Sequence, residues 1–270
     1  MSVGVEISAA GKAFGRQSKT FDQIDAESEI IQQMRQRVYA HVGRFLKPNS
    51  HILELNAGTG IDACHFAEAG HKVLATDMSE KMLRQAELKI NERGLQDLIK
   101  TQQCSFTDLD QLEGDKKYDL IFSDFGGLNC VDDFSKVGSH FNKLLKPGGY
   151  VTLVMISPFC MWETSLSLKG NFKLAFRRFK KDGSPSHLEG VDFKTYYFRP
   201  SDLHKGMGNK FKMQALEGLA MFAPPPYLEP RFKNKKQLLK GLFKVDDIVS
   251  KWPGFRLTGD HFVATFQYSP

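Results

Sequence analysis

The chain has 270 residues, 41% of them hydrophobic and 25% charged, the balance of a folded globular protein and too apolar for a disordered one. No early apolar segment suits a secretion signal and no run approaches the ~20 residues of a membrane span, so a cytoplasmic protein is expected. The net charge of +6 is unevenly spread: residues 161–256 hold 19 Lys and Arg against 9 Asp and Glu, and the remainder is mildly acidic.

Residues 1–20, rich in Gly, Ser and Lys, read as a loose arm. From Glu27 to Phe45 the apolar residues Ile30, Ile31, Met34, Val38, Val42 and Phe45 recur at helical spacing, so residues 1–45 are expected to be an arm followed by a helix. Residues 46–156 then alternate. Strands are expected at about 51–56, 71–76, 100–104, 118–124 and 148–156, and helices at about 61–69, 79–93, 108–113 and 132–145. Such alternation predicts an α/β fold with a doubly wound, mostly parallel sheet. Residues 157–211 are aromatic and basic, break the alternation, and read as an insertion over the site. Two late strands, Lys212 to Met221 and His261 to Tyr268, fall within residues 212–270, with Pro224-Pro225-Pro226 as an extended connector. The cysteines Cys64, Cys104, Cys130 and Cys160 are widely spaced and form no C-x-x-C pair, so buried reduced thiols are expected and no metal site.

The densest signal lies at His51-Ile-Leu-Glu-Leu-Asn-Ala-Gly-Thr-Gly60, a short apolar strand running into a glycine turn. Asp62 follows as a helix-opening residue, and the next strand, Lys72 to Thr76, ends in the acid Asp77. This is a βαβ unit suited to gripping a nucleoside by its ribose hydroxyls. Gly58-Thr59-Gly60-Ile61-Asp62-Ala63 formally matches the dinucleotide fingerprint. Glu54 before the turn and Asp62 at the helix start oppose a pyrophosphate, whose charges would meet acids at that helix end. A ligand with a cationic end, such as S-adenosylmethionine, fits these acids better.

Glu54-Leu55-Asn56-Ala57-Gly58-Thr59-Gly60 resembles the first motif of the class I S-adenosylmethionine-dependent methyltransferases. Asp77 matches that family's ribose acid and Met78 the neighbour that packs on adenine. Tyr118 to Asp124 resembles the fourth-strand motif, and Leu144-Leu145-Lys146-Pro147-Gly148-Gly149 the turn into the fifth. The resemblance spans about residues 30–156 and implies a seven-stranded, Rossmann-like sheet closed by an antiparallel last strand, with a lid insertion between strands five and six. It implies a cofactor site at Glu54, Asn56, Ala57, Gly58, Gly60, Asp77, Met78, Met82, Ser105, Phe106, Asp124 and Phe125, with S-adenosylhomocysteine as product. Two positions depart from the family pattern: Asn56 stands for its first glycine, and Ser105 for an acid after strand three.

The chemistry expected is methyl transfer to a small hydrophobic or aromatic metabolite, similar to the ubiquinone and menaquinone biosynthesis type. Such an in-line displacement asks the protein mainly to position the nucleophile, and needs a base only when that nucleophile arrives protonated. Phe159, Trp162, Glu163, Phe172 and Phe176 are candidate pocket walls, and His187, Tyr196, Tyr197, Tyr227 and His261 candidate proton acceptors, with His187, Tyr196 and His261 foremost. Asn171 to Lys181 reads as a helix presenting Phe172, Phe176 and Phe179 on one cationic face, either a lid helix or a surface for an anionic membrane or an acyl carrier protein. Asp124-Phe125-Gly126-Gly127 lacks the proline pair of nucleobase amino methyltransferases. The alternatives are an RNA-modifying enzyme using the basic C-terminal region, although nucleic acid is disfavoured as a partner, and a non-catalytic relic that retains the cofactor.

Overall fold

The computed structural model describes residues 7–113 and 117–270, so the first six positions of the expected arm lie outside the described residues. At its centre, strands β1 (His51–Leu55), β2 (Lys72–Asp77), β3 (Ile99–Gln103), β4 (Tyr118–Ser123) and β5 (Leu145–Ile156) are parallel. Strand β9 (His261–Tyr268) runs antiparallel between β5 and β8 (Phe211–Leu219). Together they form a seven-stranded sheet of order β3-β2-β1-β4-β5-β9-β8. The central strands are apolar on both faces, as strands covered on both sides must be; Ile52, Leu53 and Leu55 have no exposed surface.

Helices cover both faces. Helix α3 (Glu29–Val42) is capped by the Ser28 hydroxyl, which accepts from Ile31 N–H at 3.1 Å. It buries Ile30, Met34, Val38 and Val42 as one stripe against β1, β4 and α4 (Ile61–Glu68). Helix α5 (Glu80–Glu92) adds Ala86 and Ile90 to the same core. On the opposite face Phe134, Val137 and Phe141 join Leu203 and Met207 of α10 (Pro200–Met207). Among the described residues no helix is long and apolar enough to cross a membrane.

Several details differ from the sequence expectation, among them the helix expected at about 108–113, which is only a 3-10 turn at Leu109–Gln111, and the unexpected helix over Lys236–Val249. The described part of the arm is ordered into α1 (Ala9–Gln17) and α2 (Phe21–Glu27), because Ser8 caps the first and Gly11 lets it lie directly on Met78, where a Cβ would come within 2.5 Å of the sulfur. The single helix expected over 132–145 is two short turns, α6 (Ser135–Gly138) and α7 (Phe141–Leu144), with Gly138 packed against Gly206 of α10. The insertion carries a hairpin, β6 (Ser184–Leu188) and β7 (Val191–Thr195), that the alternation did not reveal. Pro185 weakens its strand signal, and the tight turn uses Glu189 and Gly190, both at positive φ, in place of the usual Asn-Gly. Finally, Asn171 to Lys181 is not one helix. After α8 (Met161–Ser165), α9 (Phe172–Ala175) ends within a turn, and a 3-10 turn at Arg177–Phe179 follows because both arginines reach inward to the buried Glu163. Helix α11 (Lys236–Val249) then leads back towards β9.

Candidate active site

The turn after β1 lies where the strand order reverses between β1 and β4, the usual ligand crevice of an open α/β sheet. Asn56, Gly58 and Gly60 all take positive φ, at 47°, 56° and 74°. Asn tolerates this region better than other non-glycine residues, and here it is also tied to β4. Ser123 Oγ donates to Asn56 Oδ1 at 2.7 Å, and Asn56 Nδ2 donates to the Asp124 carbonyl at 3.2 Å. Gly127 is the complement of this tie, since a Cβ there would lie 2.4 Å from Asn56 Cγ. Ala57 N–H donates to the Thr76 carbonyl at 2.9 Å, joining the turn to β2.

Carboxylates crowd the crevice. Asp77, ending β2, accepts from Gly58 N–H at 3.0 Å and Ser79 N–H at 2.8 Å; burial pushes its carboxyl up, and these two bonds oppose the shift. Glu54 is buried inside β1 with Oε2 lacking any hydrogen-bond partner. Burial first, then the charges of Asp62 and Asp124, push Glu54 well above the ordinary carboxylate range, with Arg35 opposing. Asp124 is raised likewise by burial and Asp62.

One cation holds the cluster together. Arg35 of α3, 4% exposed, pairs with Asp25 of α2 at 2.6 Å, with Asp62 of α4, and with Asp124 at 3.3 Å, while its guanidinium lies 4.7 Å over the Phe125 ring. Tyr39 donates to Asp62 at 2.6 Å. Nothing in the motif pattern announced Arg35 or Asp25. The available signal was a charged residue set within the apolar stripe of α3, between Ile31 and Val38.

A cavity of about 420 Å³ opens beside these residues, within the range of small-molecule sites. Asn56, Gly58, Asp77, Met78, Met82, Phe106, Asp124 and Phe125 line it, so the structure brings most of the expected cofactor positions together. Glu54, Ala57 and Gly60 lie behind this surface as its buried support, and Ser105 opens instead into an adjoining cleft of about 480 Å³. The wall above comes from α1 and α2 through Gly11, Phe14, Phe21 and Ile24. Phe159, Trp162, Phe172 and Phe176 do not line it, and neither does Glu163, which is buried against Arg177 and Arg178. The surplus of lining carboxylates, Asp25, Asp77 and Asp124, over Arg35 suits a ligand carrying an amino group and a sulfonium, and repels a pyrophosphate.

The candidate proton acceptors separate by position. His261, at the start of β9, lines the cavity edge-on to Phe125 at 5.8 Å. Tyr196 lines the adjoining cleft, its backbone carbonyl accepting from Asn129 Nδ2 at 2.6 Å. His187 lies exposed on β6 beside Asp192 at 2.7 Å, away from both. Tyr197 and Tyr227 sit under the Arg178 and Arg177 guanidinium groups. Cys160, Glu163 and Asp260 approach within 4.8 Å of one another, but Arg178 occupies both carboxylates, at 2.6 Å and 2.5 Å, so the group is an ion-pair cluster.

Comparison with known proteins agrees with this geometry. Residues 52–149 match the family model described as a methyltransferase domain. The chain is 25% identical over 150 residues to a malonyl-[acyl-carrier protein] O-methyltransferase of Pseudescherichia vulneris, covering 55% of this chain and 54% of that protein. It is 25% identical over 213 residues to malonyl-[acyl-carrier protein] O-methyltransferase 2 of Ilyobacter polytropus, covering 76% and 69%. The chain thus spans about half the length of the first of these relatives. The fold is similar to that of the Burkholderia thailandensis 1,6-didemethyltoxoflavin-N1-methyltransferase, with a TM-score of 0.57, 15% identity and coverage of 97% of this chain and 88% of that one. The matched segment begins inside β1 and ends inside β5, the part of the sheet that carries the acid-tipped strands, and over it the chain is similar to the methyltransferase-domain family.

Proposed function

We propose that the protein transfers a methyl group from S-adenosylmethionine to a small acceptor with an apolar or aromatic skeleton. The cofactor supplies an activated methyl on a sulfonium, and the chain's residues bind and orient. In this reading Asp77 takes the ribose hydroxyls, Met78 and Phe106 flank the adenine, and the acids around Glu54 and Asn56 receive the amino-acid end. The acceptor occupies the remainder, between Phe21, Ile24, Ile31, Phe125, Ile156 and His261. The observation that carries the reading is the acid-lined crevice at the glycine turn: Asp77 and Asp124 line the cavity beside Asn56 and Gly58, with Glu54 buried behind them. Calorimetric titration tests it: saturable binding of S-adenosylhomocysteine that Asp77→Asn weakens supports it. Absence of binding, or preferential binding of a nicotinamide dinucleotide, overturns it.

A second reading concerns delivery of the acceptor. Phe172, Phe176 and Phe179 are 61%, 51% and 53% exposed, and Lys173, Lys180 and Lys181 stand exposed among them. An apolar patch ringed by cations suits an acidic carrier protein presenting a thioester-linked acceptor, and both relatives named above act on a carrier-linked malonyl group. A salt-sensitive complex with purified acyl carrier protein that Phe176→Ser weakens supports it. Binding to anionic vesicles alone assigns the patch to membranes, and methyl transfer to bulk tRNA would return the RNA reading.

A further inference from the structure

His261 and Asp260 stand at the point where the chain enters β9, on the acceptor side of the cavity. His261 Nδ1 is shut away from solvent and lies 3.0 Å from Asp260 Oδ2, too bent for a full hydrogen bond, so this nitrogen is buried without a hydrogen-bond partner. Dyads of this kind often straighten only when substrate is in place. The ring itself faces the cavity against Phe125.

Asp260 is not free to move. Arg178 holds its carboxylate at 2.5 Å and its backbone carbonyl at 2.8 Å. Arg178 is in turn fixed by Glu163 through two bonds, at 3.0 Å and 2.6 Å, and by the Ser157 carbonyl at 2.9 Å. Burial alone would raise the Asp260 carboxyl, but Arg178 and then His261 outweigh it and hold it below the ordinary range, so it is ionised at neutral pH. The other groups facing the dyad are Cys160 and Tyr227 beside the Arg178 cluster, with Arg177 on Glu163. Across the cavity, beyond Phe125, stand Arg35, Asp25 and Asp124.

We infer that His261 is the catalytic base, that Asp260 and Arg178 are its positioning residues, and that the acceptor is therefore a hydroxyl compound, a phenol or an enol, on an apolar skeleton. The inference rests on the methyltransferase reading above and specifies its acceptor class. With Asp260 accepting from Nδ1–H, the Nε2 lone pair takes the hydroxyl proton. The oxygen electron pair forms the new O–CH3 bond as the C–S bond of S-adenosylmethionine breaks, and that pair stays on sulfur in neutral S-adenosylhomocysteine. A carboxylate acceptor arrives already ionised and needs none of this, so the dyad distinguishes a hydroxyl from a malonyl-type acid. The apolar surroundings of the ring, Phe125, Ile156 and Pro226, suit a flat uncharged hydroxyl compound better than an ammonium.

The test uses the full chain with labelled S-adenosylmethionine and two matched probes, 2-naphthol and 2-naphthoate. The naphthol is expected to be methylated at a rate that rises with pH through one ionisation. His261→Gln should lower kcat by about 100-fold or more and abolish that rise, the scale of a lost general base, and Asp260→Asn should lower kcat with KM little changed. Both variants should still bind S-adenosylhomocysteine, so a loss of cofactor binding in the unaltered protein would point to failure of the underlying reading instead. Imidazole 15N spectra of the S-adenosylhomocysteine complex give a readout independent of turnover. The Nδ1–H tautomer is expected, and Asp260→Asn should change it. Preference for naphthoate with a flat pH profile, undiminished turnover by His261→Gln, or an Nε2–H tautomer would each overturn the inference.

Discussion

Arg35→Met keeps most of the stem of this side chain and removes the guanidinium that pairs with Asp25, Asp62 and Asp124. Removing one partner of a buried ion pair leaves uncompensated charge, at a cost of about 3–5 kcal/mol. At about 2–4 °C per kcal/mol for a chain of this size, the melting midpoint should fall by about 6–20 °C. The loss should depend on pH with a defined sign. Glu54 and Asp124 already carry raised pKa values in the folded protein, for burial and mutual repulsion, with Arg35 opposing. Without Arg35 they rise further, so above the unfolded carboxylate range the folded state binds more protons than the unfolded one, and stability falls as pH rises. Urea unfolding followed by circular dichroism at about pH 5.5 and about pH 8 should show the larger deficit at the higher pH. A deficit below about 1 kcal/mol at the higher pH, or one equal at both, would refute the view that Arg35 neutralises the acid cluster.

Asp77→Asn should weaken S-adenosylhomocysteine binding by about 10–100-fold in calorimetry, the scale of a hydrogen bond to a charged group; unchanged affinity would remove Asp77 from the ribose site. Gly127→Ala should cost about 1–3 kcal/mol in thermal melts, because Asn56, bonded to Ser123 and Asp124, cannot retreat from the new Cβ. Gly58→Ala meets open space and only the strain of its positive φ, so it should be the milder of the two. Binding of the cationic S-adenosylmethionine should tighten as pH rises through the raised Glu54 and Asp124 ionisations and release protons, measured by calorimetry in buffers of different ionisation enthalpy; affinity independent of pH would count against both acids.

The sheet was legible because its strands are short apolar runs separated by glycine turns and single acids, signals that local physics fixes. His261–Tyr268 has the bounds its composition suggested. Asn56, Gly58 and Asp77 were legible for the same reason, since positive φ and a strand-end acid are local demands. Arg35, Asp25 and Asp260 were not. Arg35 and Asp260 matter through partners distant in sequence, Arg35 meeting Asp124 across 89 positions and Arg178 meeting Asp260 across 82, whereas Asp25 lies only 10 positions from Arg35 but in a separate helix. The order of α1 and α2 was hidden likewise, because beyond the Ser8 cap they are held by lying on Met78 and by Asp25 bonding Arg35. Between Asn171 and Lys181 the helical spacing of phenylalanines misled, because Glu163 drew Arg177 and Arg178 inward and left Phe172, Phe176 and Phe179 outside.

The polar links of α1 and α2 reach the expected cofactor end of the cavity. Asp22 bonds Thr59 in the glycine turn and Lys89 of α5, Asp25 pairs with Arg35, and Gly11 rests on Met78. Phe14 extends the same cover to Phe193 on the insertion hairpin. A ligand filling the crevice would therefore touch residues that also hold the cover, so cofactor occupancy and closure of the N-terminal helices share one set of contacts. By linkage, whatever stabilises the closed cover should slow cofactor release, and a bound cofactor should protect α1 and α2.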